Sequence, residues 1–508
     1  MLSPRCVVRR PRRHGSAIVP LVSDGDAVLG IDLGTSQAKA GIVAPDGRLL
    51  AIARSGYPAQ EPADGRAEQD PGAWWAAIAD AVRAAVAAAP EAARGLRAIA
   101  VVGQGPTTVS ADAEGRPLRP AIGWQDTRAA GIADSLATRI GISAWQLGPL
   151  PHERWIAEHE PEVAARAAHH LGAWDWLTLR LSGEAVRSVP PGSGEPSDAT
   201  IRAGGGDPAR FGRVVPWATV VGTLRPGPAA ELGLPAGVPV VAGGNDAFAS
   251  FHGAGMHAPG DAVDTGGTSG GFGVYWDHRL ELPGTYRARA PLPGIWIYGG
   301  AMNATGRALA WLGEALGAPA DPVAPERLLA EAAGVPAGAE GLVFLPYLAG
   351  ERSPVWDDRA RGVLAGLTLR HGRAHMARAV LEAAAYALRH VAEPIVDAGV
   401  GVRGMVVSGG TAATRAWSVM KADITGFSVL VPVIPETAVV GAAILAALGA
   451  GLHPDAPSAI AAMVRIGERI DPDPALRHCY DERYAAYRAL YPATAPLVHR
   501  LGAAAARG

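Results

Sequence analysis

The chain is short of lysine and of cysteine. Of its 46 basic residues only Lys39 and Lys421 are lysines, and neither follows a glycine, so the Gly-Lys step of a Walker-type phosphate loop is absent. Two cysteines, Cys6 and Cys479, are too few for a disulfide framework or a four-ligand zinc site, which makes a reducing compartment, the cytoplasm, the expected location. An excess of charge of either sign is missing too. The 46 basic side chains face 48 acidic ones, leaving a formal net charge of -2 and no electrostatic footprint for nucleic acid or an anionic membrane surface. Membrane-length apolar runs are also lacking. The Ala- and Gly-rich stretch Ala438–Leu452 falls short of the roughly 20 residues a bilayer core requires and reads as a buried helix. The histidines, His169-His170 included, show no metal-ligand spacing.

With 508 residues, 49% of them apolar and 19% charged, the chain can build two or three globular domains. Arg5, Arg9, Arg10, Arg12 and Arg13 open it without an acid among them, so residues 1–27 are expected to be a disordered basic extension. From Leu29 the pattern is regular. Strands are predicted at Leu29–Leu33, Ala40–Ala44 and Leu49–Ala53, a helix at Pro71–Ala89, a strand at Ala98–Val102 and a helix over Val163–Leu181. The Pro/Gly/Ser-rich stretch Gly183–Gly212 reads as a surface loop or poorly ordered insertion. Further on, a strand at Phe272–Trp276, helices at Ala304–Leu316, Arg373–Val396, Ala412–Thr425 and Val439–Leu448, and a strand at Met405–Val407 predict alternating α/β structure.

Two short segments echo each other. Asp32 precedes Gly34-Thr35-Ser36, and Asp264 precedes Gly267-Thr268-Ser269, each an acid, a glycine turn and two hydroxyls between strands. Such turns expose peptide N–H groups and hydroxyls to phosphate oxygens, and an adjacent acid can hold Mg²⁺; the plain alternative is a hairpin turn in each half. Asn245-Asp246 follows the apolar strand Val238–Val241, so Asp246 is either a helix N-cap or a general base for a substrate hydroxyl. Gln104, Trp124 and Asp126 lie near strand ends and suit a polyhydroxylated ligand, although Trp124 could equally be core and Asp126 an ion-pair partner of Arg128. Gly267–Gly271 also fits a G-x-S-x-G nucleophile elbow with Ser269 as nucleophile, but a strand is predicted where the elbow needs a helix. Gly253–Ala258 fits a dinucleotide fingerprint, yet it follows a predicted helix and runs into Pro259.

Taken in order, GIDLGTSQAK (Gly30–Lys39), GGNDA (Gly243–Ala247), DTGGTSG (Asp264–Gly270), FLPYLAGERSPVWDDRARG (Phe344–Gly362), GVLAGLTLRHGRAHMARAVLE (Gly362–Glu382) and GGTAATRAW (Gly409–Trp417) resemble the FGGY carbohydrate kinases, over about residues 28–492. The resemblance implies two ribonuclease H-like domains of the actin, hexokinase and Hsp70 type with an interdomain cleft: residues 28–257 on the sugar side with the first phosphate loop, 258–450 on the ATP side, and 451–508 a C-terminal helical segment. By motif it implies Asp246 as catalytic base, and Asp32, Gly34, Thr35 and Ser36 as the first phosphate loop, with Asp32 toward Mg²⁺. Gly267, Thr268 and Ser269 would form the second loop, and Gly409 and Gly410 the turn meeting adenosine. Gln104, Trp124, Asp126, Asn245 and Asp246 would sit on the substrate side, while Glu351 and Arg352 would be structural. ATP and Mg²⁺ are the implied cofactors and a small sugar or polyol the partner; the family's frequent dimers allow a homodimer. Xylulose kinases of this family usually place Met-His after the glutamine, where this chain has Gly105-Pro106. A ketopentose such as xylulose or ribulose is the first expectation, with gluconate, a hexulose or another polyol behind it. A serine acyl hydrolase and a non-catalytic nucleotide-binding module are the competing classes.

Overall fold

The computed structural model describes residues 25–58, 65–191, 193–267, 269–317, 323–409 and 414–505, so the basic extension lies almost wholly outside the described residues. Two large sheets organise the chain. The first runs in the order Val220–Thr223, Pro239–Asn245, Leu96–Gly103, Ala27–Leu33, Gln37–Val43, Leu49–Gly56. The second runs Tyr286–Arg289, Trp296–Met302, Gly270–Trp276, Asp261–Asp264, Gly404–Val407, Val429–Pro432, Ile466–Ile470. Each contains the same core: a hairpin whose first strand pairs in parallel with a later strand, which in turn pairs in parallel with the next. The two echoed segments predict a duplication, and the arrangement is the ribonuclease H-like one that the family resemblance implies.

Alternation within the strand Ala27–Leu33 explains its fully buried pattern. Leu29, Ile31 and Leu33 pack with Trp74, Ile78 and Val82 of the helix Pro71–Ala88, which Asp70 caps by accepting from the Gly72 N–H. Val28 faces the opposite way, into a core shared with the helix Thr437–Gly449. That helix arrives from the second half of the chain and crosses the first sheet at backbone distance. A Cβ on Gly30 would lie 2.4 Å from the Val439 carbonyl oxygen, and one on Gly41 2.5 Å from a Val439 methyl group. The helix Asp246–Gly253 lies between the two halves: Ala249 belongs to the core that Val28 shares with the helix Thr437–Gly449, and Phe251 packs with Val263, Tyr275 and Ile297 of the second sheet.

Three expectations change. The predicted helix Val163–Leu181 is broken into the helix Pro161–Arg166, the strand His169–Gly172 and the helix Ala173–Ser182, because His169–Gly172 pairs with Thr108–Ala111 in a small four-stranded sheet. The stretch Gly183–Gly212 is not a loose surface loop: Val186–Val189 is a buried strand paired in parallel with Arg213–Pro216, and Asp198–Ala203 is helical. The segment after residue 450 is not only helical, since Ile466–Ile470 adds an edge strand to the second sheet before the long helix Arg477–Ala505. Among the described residues no helix is long and apolar enough to cross a membrane.

Candidate active site in the cleft between the domains

A cavity of ≈ 620 Å³ opens between the two halves and draws its walls from both. Thr35, Gln104, Trp124, Asn245 and Asp246 come from the first half, and Ser269, Gly270, Arg352 and Trp356 from the second. The first glycine turn is held rigid by its own domain. Its three carbonyls accept, in order, from the Tyr57 hydroxyl at Gly34, from the Gln69 amide at Thr35 (2.9 Å) and from the Tyr57 N–H at Ser36 (3.1 Å). Gln69 also accepts from Gln104 (2.6 Å) and from the Trp74 indole (3.0 Å), which ties the loop to the next strand end.

Asp32 is buried, and its Oδ1 makes no hydrogen bond among the described residues. Burial pushes its carboxyl up to about 6 against the opposing pull of Lys39. Asp246 is raised further, to about 7, by burial first and by the charge of Asp32 second. Tyr57 is shifted upward by burial and by the same two carboxylates, so the three groups share one electrostatic neighbourhood. The helix cap is Asn245, whose Oδ1 accepts from the Phe248 N–H (3.2 Å); Asp246 occupies the first helical position and is not the N-cap. The strand that delivers it carries a bulge between Val241 and Gly244, where a Cβ on Gly243 would sit 1.8 Å from the Val101 carbonyl oxygen, so only glycine fits.

Asp246 lines the cavity, whereas Asp32 is buried and is not among the lining residues, though near enough for its charge to raise the Asp246 carboxyl. Among the described residues there is no cluster of three or more metal-ligating side chains. A lone unpartnered carboxylate oxygen nevertheless suits Mg²⁺, which keeps most of its waters and is commonly held by one or two carboxylates together with phosphate oxygens.

The second half supplies the other rim. Ser269 lies on the wall and leads straight into the strand Gly270–Trp276, so the strand–turn–helix of a nucleophile elbow is absent. Gly409 has φ +65°, and a Cβ there would lie 2.5 Å from the Gly266 carbonyl oxygen, which seats this turn against the second loop. The Gly267 carbonyl accepts from the Gly306 N–H at 3.1 Å. Thr268 and Gly410 lie outside the described residues. Asp264, the echo of Asp32, has a different environment: it is paired with Lys421, and both side chains are buried.

Of the substrate-side candidates, Gln104, Trp124 and Asn245 reach the cavity, with the Trp124 indole donating to the Thr35 hydroxyl (3.3 Å). Asp126 is not among the lining side chains. Its carboxylate is engaged by Arg128 and by the Ala67 N–H (2.7 Å), and burial outweighed by these bonds leaves it below the usual carboxylate range. Arg352, expected to be structural, lines the cleft while donating to Asn303 (2.6 Å); Glu351 behind it is pushed up to about 7 by burial. Trp356, inside the quoted segment Phe344–Gly362, also lines the cavity, as do Trp145, Trp174 and Ser188, which no sequence signal singles out. Only the fold brings these four residues together.

The chain matches models for the N-terminal domain of the FGGY family of carbohydrate kinases over residues 27–253 and for its C-terminal domain over residues 262–450. It is 30% identical over 492 residues to a xylulose kinase of Staphylococcus epidermidis, covering 93% of this chain and 98% of the relative. It is 28% identical over 451 residues to a gluconokinase of Bacillus subtilis, covering 84% and 88%. Among solved structures, the xylulose kinase from Rhodospirillum rubrum superposes with a TM-score of 0.78 at 33% identity, covering 93% of this chain and 100% of that one.

Proposed function

This chain belongs to the FGGY family of carbohydrate kinases, and from that premise we propose that it moves the terminal phosphate of ATP to a hydroxyl of a ketopentose, xylulose first, in the cytoplasm. The observation that carries the reading is the position of Asp246, at the first turn of a helix and on the wall of a cavity lined from both halves of the chain. A base whose pKa lies near neutrality can accept the acceptor's proton and still be ionised in a useful fraction.

Asp246 takes the proton from the acceptor hydroxyl as its oxygen attacks the γ-phosphorus in line; the bond from that phosphorus to the β–γ bridging oxygen breaks, and ADP leaves with its electron pair. The rigid turn Gly34-Thr35-Ser36 and the turn holding Gly267 and Ser269 grip the phosphates from opposite domains, and Gly409 borders the nucleotide side. Asp32, and bound water beside it, would hold Mg²⁺. When bound, the ion neutralises charge on the phosphate oxygens. Gln104, Trp124 and Asn245 orient the acceptor beside Asp246. Because the walls come from two domains, the site is complete only when they approach, which excludes water from the phosphate and limits idle hydrolysis.

A coupled ADP-release assay over xylulose, ribulose, gluconate, hexuloses and polyols tests the reading. Xylulose should give the highest kcat/KM, and Asp246→Asn should lose phosphorylation by at least ~100-fold while nucleotide still binds. Turnover above a few per cent of the parent in that variant would remove Asp246 from the base role.

A further inference from the structure

We propose that Trp174 forms the floor on which the acceptor's C–H face rests, and that Gly105 is a glycine because the Trp174 ring occupies the space of its missing side chain. The inference depends on the reading that the acceptor lies beside Asp246.

Trp174 and Trp176 are two residues apart near the start of the helix Ala173–Ser182, and they point to different places. Trp176 is in the core, edge-on to Trp74 at 6.3 Å, whereas Trp174 is half-buried and lines the cleft. The six-membered part of the Trp174 indole sits over Gly105. A Cβ at that position would be 2.6 Å from Cζ3 and 3.0 Å from Cη2 of Trp174, and 3.3 Å from Nδ2 of Asn245. Separations this short require the ring to move, so residue 105 and Trp174 compete for one volume. The contact with Asn245 puts that volume next to the residue preceding Asp246. Trp174 and Asp246 line the same cavity, and the proposal seats the acceptor between them.

The ring is also held in place. Its Nε1–H donates to the Ser188 hydroxyl (2.8 Å), and that hydroxyl donates to the Asp175 carboxylate (2.7 Å), which also accepts from the Ser188 N–H (3.1 Å). Asp175 and Ser188 are both buried, at 4% and 6% exposure. This tether fixes the orientation of the indole plane without using a hydrogen-bond donor on the acceptor. An aromatic face carries partial negative charge and attracts the positively polarised C–H groups of a sugar, so the floor selects by shape and C–H surface where a polar side chain at position 105 would select by hydroxyl. Trp174 is thus assigned as a binding and specificity residue, and Ser188 and Asp175 as positioning residues.

The test is the coupled ADP assay on the full chain, with KM measured separately for acceptor and ATP. Trp174→Ala should raise the acceptor KM by about 10- to 100-fold, the loss expected for removing one buried aromatic contact, with the KM for ATP within about twofold. Trp174→Phe keeps a ring but lacks the atoms that crowd position 105, and should recover most of the acceptor affinity. Gly105→Ala displaces the ring without removing it. It should raise the acceptor KM in the parent and have little effect in the Trp174→Phe background, and this pair remains informative if Trp174→Ala fails to fold. An unchanged acceptor KM in a folded Trp174→Ala, equal rises in both KM values, or a Gly105→Ala effect that is the same in both backgrounds would overturn the assignment and leave the kinase reading standing. A parent enzyme that phosphorylates nothing in the panel would overturn the kinase reading first, and this inference with it.

Discussion

Lys421→Met offers a sharp measure of how the second hairpin is held. Lys421 pairs with Asp264, and the two side chains are only 2% and 3% exposed, so solvent screens almost none of the interaction. Methionine keeps the unbranched stem, and with it the packing against Trp417, whose ring centre lies 4.7 Å from the Lys421 ammonium. What it removes is the charge. Asp264 is then left buried and uncompensated at the end of the strand Asp261–Asp264, and breaking such a pair costs about 3–5 kcal/mol. For a domain of this size each kcal/mol is worth about 2–4 °C, so Tm should fall by about 6–20 °C. Removing both charges should reverse most of the damage, because a buried ion pair often contributes little beyond an apolar pair of similar volume. Lys421→Met/Asp264→Leu is therefore expected within about 2 kcal/mol of the parent. Urea titrations of the four proteins without nucleotide form the cycle. A loss below about 1 kcal/mol in the single variant, or a double variant no more stable than the single one, would refute the reasoning.

Other expectations follow from the same geometry. A Cβ on Gly441 would lie 2.0 Å from the Ala249 carbonyl oxygen, where the helix Thr437–Gly449 crosses the helix that begins with Asp246; Gly441→Ala should cost about 1–3 kcal/mol in urea denaturation and lower kcat by displacing that helix, and a variant of parental stability and rate would show that the crossing yields easily. Asp32→Asn should raise the Mg²⁺ concentration needed for half-maximal turnover and cut kcat at least ~100-fold, and a parental Mg²⁺ titration curve would take Asp32 out of the metal site. His170, buried beside the Ser110 hydroxyl, is pushed down to about 4 by burial first and by Arg210 and His169 after it. Its unfolded form therefore binds the proton first, and the stability it contributes is intact above about pH 6.5 and drains away as pH falls toward 4. Between pH 7 and pH 5 the parent should lose about 2 kcal/mol relative to His170→Gln in urea midpoints, and parallel pH profiles would show that His170 titrates normally.

Much of the fold was legible locally because it is set by short-range rules. The strand Ala27–Leu33, the helices Pro71–Ala88 and Arg373–Asp397, and the buried helix Thr437–Gly449 follow from periodicity and from residues such as Asp70 that cap by themselves. The duplication was legible from two glycine turns, since a turn between paired strands needs little beyond its own residues. Where the sequence reading failed, a distant partner decided the outcome. Val163–Leu181 has helical composition, but the strand Thr108–Ala111 recruits His169–Gly172 as its neighbour. The Pro/Gly-rich stretch looked loose, yet Val186–Val189 finds Arg213–Pro216.

By itself, then, the sequence carried the family resemblance and the candidate groups, an acid beside a glycine turn, twice, and Asp246 at the end of an apolar strand, and left the hairpin-turn and helix-cap alternatives open. Only the tertiary structure decided which of these groups are free to act. Asp32 and Asp264 sit in the same local pattern, but a lysine 157 residues further along the chain neutralises Asp264, while an oxygen of Asp32 has no partner among the described residues. Asp126 is claimed by Arg128 and a backbone N–H, and Gly105 yields its space to a tryptophan that nothing in its own neighbourhood marks. The reason is that charge compensation and excluded volume act through space. Residue spacing along the chain constrains neither beyond a few turns.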